Sequence, residues 1–155
     1  MQAAYPALDL GAFDRAWRGG FDAALEIDLP LKPDAQAVLD AITLPKALCT
    51  SSRRASAVRK LELAGFTRYF HTIVALEDVS RPKPAPEPYL LTAARLGVQP
   101  ARCIVFEDSE TGAAAARAAG CVVVQVPDML PTEGAHADHV VASLLDGARK
   151  LGLIG

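Results

Sequence analysis

From residue 46 onward, short apolar runs alternate with stretches whose apolar positions recur at helical spacing. Lys46-Ala47-Leu48-Cys49-Thr50 reads as a strand, and Ser52 is placed to cap a helix through Val58, Leu61 and Leu63 that Gly65 ends. Thr72-Ile73-Val74-Ala75 reads as a second strand, followed by a polar, proline-rich loop. Pro86 or Glu87 opens a helix bearing Tyr89, Leu90, Ala93, Ala94 and Leu96, and Gly97 closes it. Arg102 to Phe106 reads as a third strand, after which Ser109 caps an alanine-rich helix with Gly112 in its first turn and Gly120 at its end. Cys121 to Val126 predicts a fourth strand, apolar enough to be buried on both faces. Val140-Val141 predicts a short fifth strand, and Leu144 to Leu151 a closing helix. Strands alternating with helices through short connections predict an α/β fold with a Rossmann-like parallel sheet.

Residues 1–45 carry a different pattern. Phe13, Trp17, Phe21 and Leu25 recur every four residues, which predicts one amphipathic helix despite Gly19-Gly20. A second helix is predicted from Pro33 to Ile42, with the proline in its first turn. Two helices ahead of any strand read as a helical lid or connector.

Composition narrows the possibilities. With 155 residues, 51% of them hydrophobic, the chain can bury a proper core. Lys and Arg number 16 against 18 Asp and Glu, a net charge of −2, and no basic block occurs, which argues against nucleic-acid and anionic-membrane partners. The three cysteines, Cys49, Cys103 and Cys121, lie in or beside predicted strands without metal-ligand spacing, so they read as free thiols. No apolar stretch approaches the ~20 residues of a membrane span, and Met1 to Pro6 lacks the basic and apolar segments of a signal peptide. A cytoplasmic location is the expectation.

The chemistry lies at the predicted strand ends. In an open parallel sheet the ligand crevice lies outside the carboxyl ends of the strands. Thr50-Ser51 ends one strand and Glu107-Asp108 another, while Lys83 stands in Arg81-Pro82-Lys83-Pro84-Ala85-Pro86. Hydroxyls and helix-start N–H groups suit a phosphate, the lysine supplies a point charge, and adjacent carboxylates suit a hard cation such as Mg²⁺. Singly, each has a plainer reading as a helix cap or a solvated loop lysine. Their common side and order favour one site. His136-x-x-His139 has metal-like spacing but reads as surface, and Trp17 with Phe13 and Phe21 reads as packing.

Thr50-Ser51-Ser52, Lys83-Pro84-Ala85-Pro86 and Phe106-Glu107-Asp108-Ser109-x-x-Gly112 resemble motifs two, three and four of the haloacid dehalogenase-like (HAD) hydrolases, in their phosphatase and beta-phosphoglucomutase branch. The resemblance covers about residues 30 to 130. It implies Mg²⁺-dependent hydrolysis or transfer of the phosphoryl group of a small phosphorylated metabolite. Thr50, with Ser51 beside it, would hold the phosphoryl group; Lys83 would neutralise phosphate and nucleophile; Asp108 would ligate Mg²⁺ with Glu107 in support. Arg53 and Arg54 stand where this branch often contacts substrate, though both also read as solvated helix-start residues.

One departure is large. The family's first strand ends in Asp-x-Asp, whose first aspartate attacks phosphorus, and no Asp-x-Asp occurs in this sequence. Glu26-Ile27-Asp28 comes nearest, but it ends a predicted helix before Pro30. The resemblance therefore implies a partial helical cap over residues 1–32 and a HAD-like core over 33–155 that lacks its first strand. The expectation is a truncated chain, weakly active or inactive by itself. The alternative is a non-catalytic binding module that forms homo-oligomers through an exposed sheet edge. A receiver-like phosphorylation domain also uses Asp, Thr and Lys, but the Lys-Pro-x-Pro loop fits it poorly.

Overall fold

The computed structural model describes residue 9 and residues 29–128 and 132–155. The expected helix through Phe13, Trp17, Phe21 and Leu25, and Glu26-Ile27-Asp28, lie outside the described residues.

Among the described residues ten α-helices and strands follow in order: α1 (Ala35–Ala41), β1 (Lys46–Cys49), α2 (Arg54–Ala64), β2 (Phe70–Val74), α3 (Glu87–Leu96), β3 (Ile104–Glu107), α4 (Glu110–Ala118), β4 (Val122–Gln125), β5 (His139–Val140) and α5 (Leu144–Lys150). The α/β alternation of the sequence is therefore present, with boundaries shifted by one or two residues. Gly65 and Gly97 end α2 and α3 in the left-handed conformation, each at φ 70°, which costs glycine nothing.

Two helix starts differ from expectation. Pro33 precedes α1, because Asp34 takes a left-handed backbone at φ 65° and the helix begins only at Ala35. Ser52 does not cap α2. Its N–H donates to the Thr50 hydroxyl at 3.0 Å and its carbonyl accepts from the Leu76 N–H at 3.0 Å, so it is spent on a turn and Arg53 takes the cap position. Ser109 does cap α4, accepting from the Gly112 N–H at 3.1 Å.

All strand pairs are parallel, but the described strands form two sheets rather than one. β1 pairs with β2; β3, β4 and β5 form the other sheet in that order. β1 and β3 each have a partner on one side only. The helical layer beneath is continuous: α3 packs on β1 and β2, α4 on β3 and β4, and the two helices touch each other. Tyr89, Ala113, Ala116, Cys121 and Val123 lie in one buried cluster, with Cys49 and Val105 packed against it from the two sheets. Small alanines let α4 sit close to β4. Val123 and Val124 of β4 are fully buried, as expected, but so is Gln125, whose amide N–H donates to Glu110 at 3.3 Å. Among the described residues no helix is long and apolar enough to cross a membrane.

Candidate active site

β1 and β3 point their carboxyl ends at one side chain, that of Lys83. The loop after β2 delivers it, and its amine donates to the Cys49 carbonyl at 3.2 Å and to the Tyr89 hydroxyl at 3.0 Å. It also ion-pairs with Glu107, the last residue of β3; the two side chains are only 9% and 7% exposed. A buried ion pair persists only when further hydrogen bonds satisfy both partners. Here they do. Tyr89 donates its hydroxyl to the same Glu107 oxygen that Lys83 holds, and Ser109 donates to the other oxygen at 3.2 Å. The Lys83 amine also stands 4.8 Å from the centre of the Tyr89 ring.

Burial, reinforced by the Glu107 charge and hydrogen bond, pushes the Tyr89 phenol far above its ordinary value, so it stays a neutral donor. Burial likewise raises the Cys49 thiol, against the pull of Lys83.

Asp108 follows Glu107 out of β3 and is exposed, with no ion pair or hydrogen bond among the described residues. It lines a cleft of about 160 Å³ with Lys32, Phe106, Glu107, Val126 and Leu144. Lys32 in turn pairs with Asp128 at 3.3 Å. Thr50 extends the β1–β2 ladder, its N–H donating to Val74 at 2.9 Å, and its half-buried hydroxyl keeps a free proton while accepting from Ser52. Ser51 and Arg53 are exposed. Arg54 holds the Ile73 carbonyl at 3.1 Å and pairs with Asp78, which ties α2 to the end of β2.

Lys83, Glu107 and the end of β1 are thus in direct contact, Thr50 and Asp108 are each one residue beyond, and Ser51 and Arg53 face solvent. Glu107 has its oxygens engaged by Lys83, Tyr89 and Ser109, which leaves Asp108 as the open carboxylate. Tyr89 escaped the sequence reading, which treated it as an apolar position of α3. The available signal was its place just after the Lys83 loop, with a hydroxyl that burial obliges to find a partner. His136 is exposed and His139 lies in β5; among the described residues no group of three or more His, Cys, Asp or Glu side chains could hold a metal.

Comparisons with known proteins bear on this geometry. The family model for haloacid dehalogenase-like hydrolases matches residues 2–120. Fructose-1-phosphate phosphatase YqaB of Escherichia coli is 48% identical over 82 residues, 53% of this chain and 44% of that protein. The bifunctional riboflavin kinase/FMN phosphatase of Arabidopsis thaliana is 41% identical over 107 residues, 66% of this chain and 28% of that protein. The chain thus spans less than half the length of either relative. A HAD family hydrolase of Deinococcus radiodurans, solved with bound phosphate and sodium, superposes with a TM-score of 0.79 at 29% identity, covering 99% of this chain and 73% of that one.

Proposed function

Since this chain belongs to the haloacid dehalogenase-like hydrolase family, we propose that it carries the phosphate- and cation-holding half of a phosphomonoester hydrolase. The substrate class is a small phosphorylated metabolite. The names of the two relatives, one acting on a sugar phosphate and one on a flavin phosphate, support that class. One observation supports the reading: Lys83 bonds the Cys49 carbonyl at the end of β1 and the Glu107 carboxylate at the end of β3, and Thr50 and the exposed Asp108 are the residues that follow those two strand ends.

Each residue has a role that follows from its surroundings. Lys83 places a positive charge at the carboxyl ends of both sheets, and Glu107 and Tyr89 hold it still. Charge fixed before the reaction stabilises a developing oxyanion without reorganisation at the moment of reaction. Thr50 can donate its free hydroxyl proton to a phosphate oxygen. The donor set fits Mg²⁺, because Asp108 offers open carboxylate oxygens and this ion takes one or two carboxylates, the rest being water and phosphate oxygens. When bound there, Mg²⁺ would supply neutralisation of phosphate charge. Glu107 supports the site indirectly, by orienting Lys83. Ser51 and Arg53, exposed at the mouth, are left to meet the substrate beyond its phosphate.

Phosphoryl transfer through a covalent intermediate also needs a nucleophile, which in the family resembled here is an aspartate carboxylate. Glu107 is engaged and buried, Asp108 is assigned to the cation, and no Asp-x-Asp exists in the sequence. We therefore expect the 155-residue chain to bind inorganic phosphate weakly in a Mg²⁺-dependent manner and to hydrolyse aryl phosphates no faster than buffer. Calorimetric phosphate titration with and without Mg²⁺, beside a p-nitrophenyl phosphate assay, tests this. Turnover abolished by Asp108→Ala would refute the expected inactivity, and absence of any phosphate binding would refute the site.

A further inference from the structure

The amino ends of β3 and β4, opposite the end that carries Glu107 and Asp108, bring two thiols side by side. The parallel register sets Ile104 beside Val122, and the Val122 N–H donates to the Cys103 carbonyl at 3.0 Å, so Cys103 and Cys121 occupy the next matched position. Matched positions of neighbouring strands turn their side chains to one face of the sheet. Here it is the face beneath α4. Cys121 lies in the buried cluster with Ala113, Ala116 and Val123, and Cys103 packs against that cluster. Neighbouring strands lie about 4.7–4.9 Å apart, within the Cα separation of about 4.4–6.8 Å that a disulfide spans. Each cysteine stands one place before its strand, where the ladder is incomplete and the backbone can adjust.

The two thiols are not equivalent. Cys103 is half-buried, with its thiol donating to the Gln99 carbonyl at 3.7 Å, whereas Cys121 is only 8% exposed. Burial raises the Cys103 thiol above its ordinary value, and a hydrogen bond donated by Cys121 draws it part of the way back. Burial, then the neighbouring Cys103 thiol, pushes Cys121 up to about 11. Cys103 is thus the thiol that meets solvent and ionises first. The third cysteine is engaged elsewhere: Cys49 lies in β1, with its thiol hydrogen-bonded to Thr92. All three are free.

We propose that Cys103 and Cys121 form a reversible disulfide when the chain meets a hydroperoxide, with Cys103 as the attacking thiol and Cys121 as the resolving one. The Cys103 sulfur attacks the terminal peroxide oxygen. The O–O bond breaks, and the leaving alkoxide takes the Cys103 proton as an alcohol. Cys103 is then a sulfenic acid. The Cys121 sulfur attacks it, the S–S bond forms and the S–O bond breaks, and the hydroxyl leaves with the Cys121 proton as water. Two thiols have given two electrons to one hydroperoxide. The bond closes a loop that holds β3, Asp108 and α4, which restricts the unfolded chain. A dithiol reductant reverses it by exchange. The inference rests on strand register and is independent of phosphate binding.

The test treats the full reduced chain with tert-butyl hydroperoxide under native conditions and then blocks the remaining thiols. Trypsin puts the three cysteines on separate peptides, 47–53, 103–117 and 118–149, so mass spectrometry reads every pairing. The expected product is 103–117 linked to 118–149, two hydrogens lighter than the free peptides, with Cys49 blocked. It forms at least about tenfold faster than any pair that includes Cys49. The urea midpoint of the oxidised chain rises above that of the reduced one. In Cys121→Ala, dimedone traps a sulfenic acid on Cys103; in Cys103→Ser it traps none on Cys121. Circular dichroism checks that both variants fold, and the mapping of the parent chain stands without them. The proposal is overturned if Cys103 and Cys121 both stay open to blocking, if Cys49 joins the link, or if the bond forms only in urea. It is equally overturned if Cys121 is trapped in place of Cys103, or if the oxidised chain unfolds at no higher urea than the reduced one.

Discussion

The Lys83 amine and the Glu107 carboxylate form a buried ion pair across 24 residues of sequence, joining the loop after β2 to the end of β3. Removing one partner of such a pair leaves an uncompensated charge in a place water hardly reaches. Lys83→Met is therefore expected to cost about 3–5 kcal/mol of stability. The double variant Lys83→Met with Glu107→Leu should recover a large part of that loss, since no charge remains buried. Urea unfolding of the four proteins, compared as a double-mutant cycle, measures it. A single-variant loss that the double variant merely adds to would mean that the two groups are not coupled.

Tyr89 is predicted to matter through its hydroxyl rather than its ring. It donates to Glu107 and accepts from Lys83, so Tyr89→Phe removes a hydrogen bond to a charged group while keeping the packing. Such bonds are worth about 1.5–3 kcal/mol. A urea midpoint unchanged in Tyr89→Phe would remove the hydroxyl from the account.

Gly112 sits in the first turn of α4, directly over the Glu107 carboxylate. A Cβ added there would fall inside the space that carboxylate occupies. In an exposed helix, glycine to alanine would gain about 1 kcal/mol. Here the carboxylate cannot yield freely, because Lys83, Tyr89 and Ser109 hold it. Gly112→Ala is expected to destabilise by about 1–3 kcal/mol, the usual cost of overpacking. In a Glu107→Ala background the same change should become neutral or stabilising. Thermal melts of the two pairs decide it.

The order of strands and helices after residue 46 was legible because each element obeys its own period and is closed by a cap or a glycine. The places of Thr50 and the Glu107-Asp108 pair at strand ends, and of Lys83 in the loop after β2, were legible for the same reason. Roles within that group came only from the family resemblance, which sets Asp108 apart from Glu107. By residue type alone the two look interchangeable, yet the alternation of the strand end turns Glu107 into the buried clamp on Lys83 and Asp108 outward. Ser52 resembles a cap by residue type, but the helix starts one residue later and the Arg54 N–H at its start donates to Glu77, 23 residues on, at 3.0 Å. Both outcomes depend on contacts between segments that no local pattern encodes.

Asp78 supplies a pH prediction. The Ala75 N–H, then Arg95 and Arg54, hold its carboxyl below the ordinary carboxylate value. A carboxyl whose pKa is lower folded than unfolded contributes stability above its unfolded value, about 3.9, and loses it as pH falls through the folded one. Asp78→Asn should therefore lower the urea midpoint at pH 7, and the gap to the parent should close as the pH is brought below about 4. A gap that stays constant with pH would show that the side chain acts by shape alone.

Asp108 separates binding from folding. Its carboxylate is exposed and has no hydrogen bond or ion pair among the described residues, so the fold gains nothing visible from its charge. Asp108→Asn keeps the shape and removes the charge a divalent cation requires. Its effect on stability is expected within about 0.5 kcal/mol, as for other surface substitutions. The Mg²⁺ dependence of phosphate binding, in contrast, should vanish. Lys83→Met, the charge removed at the other side of the site, should weaken phosphate binding with and without the ion. Titrating phosphate into both variants, folded by circular dichroism, distinguishes the two roles: if Asp108→Asn keeps the Mg²⁺ enhancement, the cation is held elsewhere and the assignment of the open carboxylate fails.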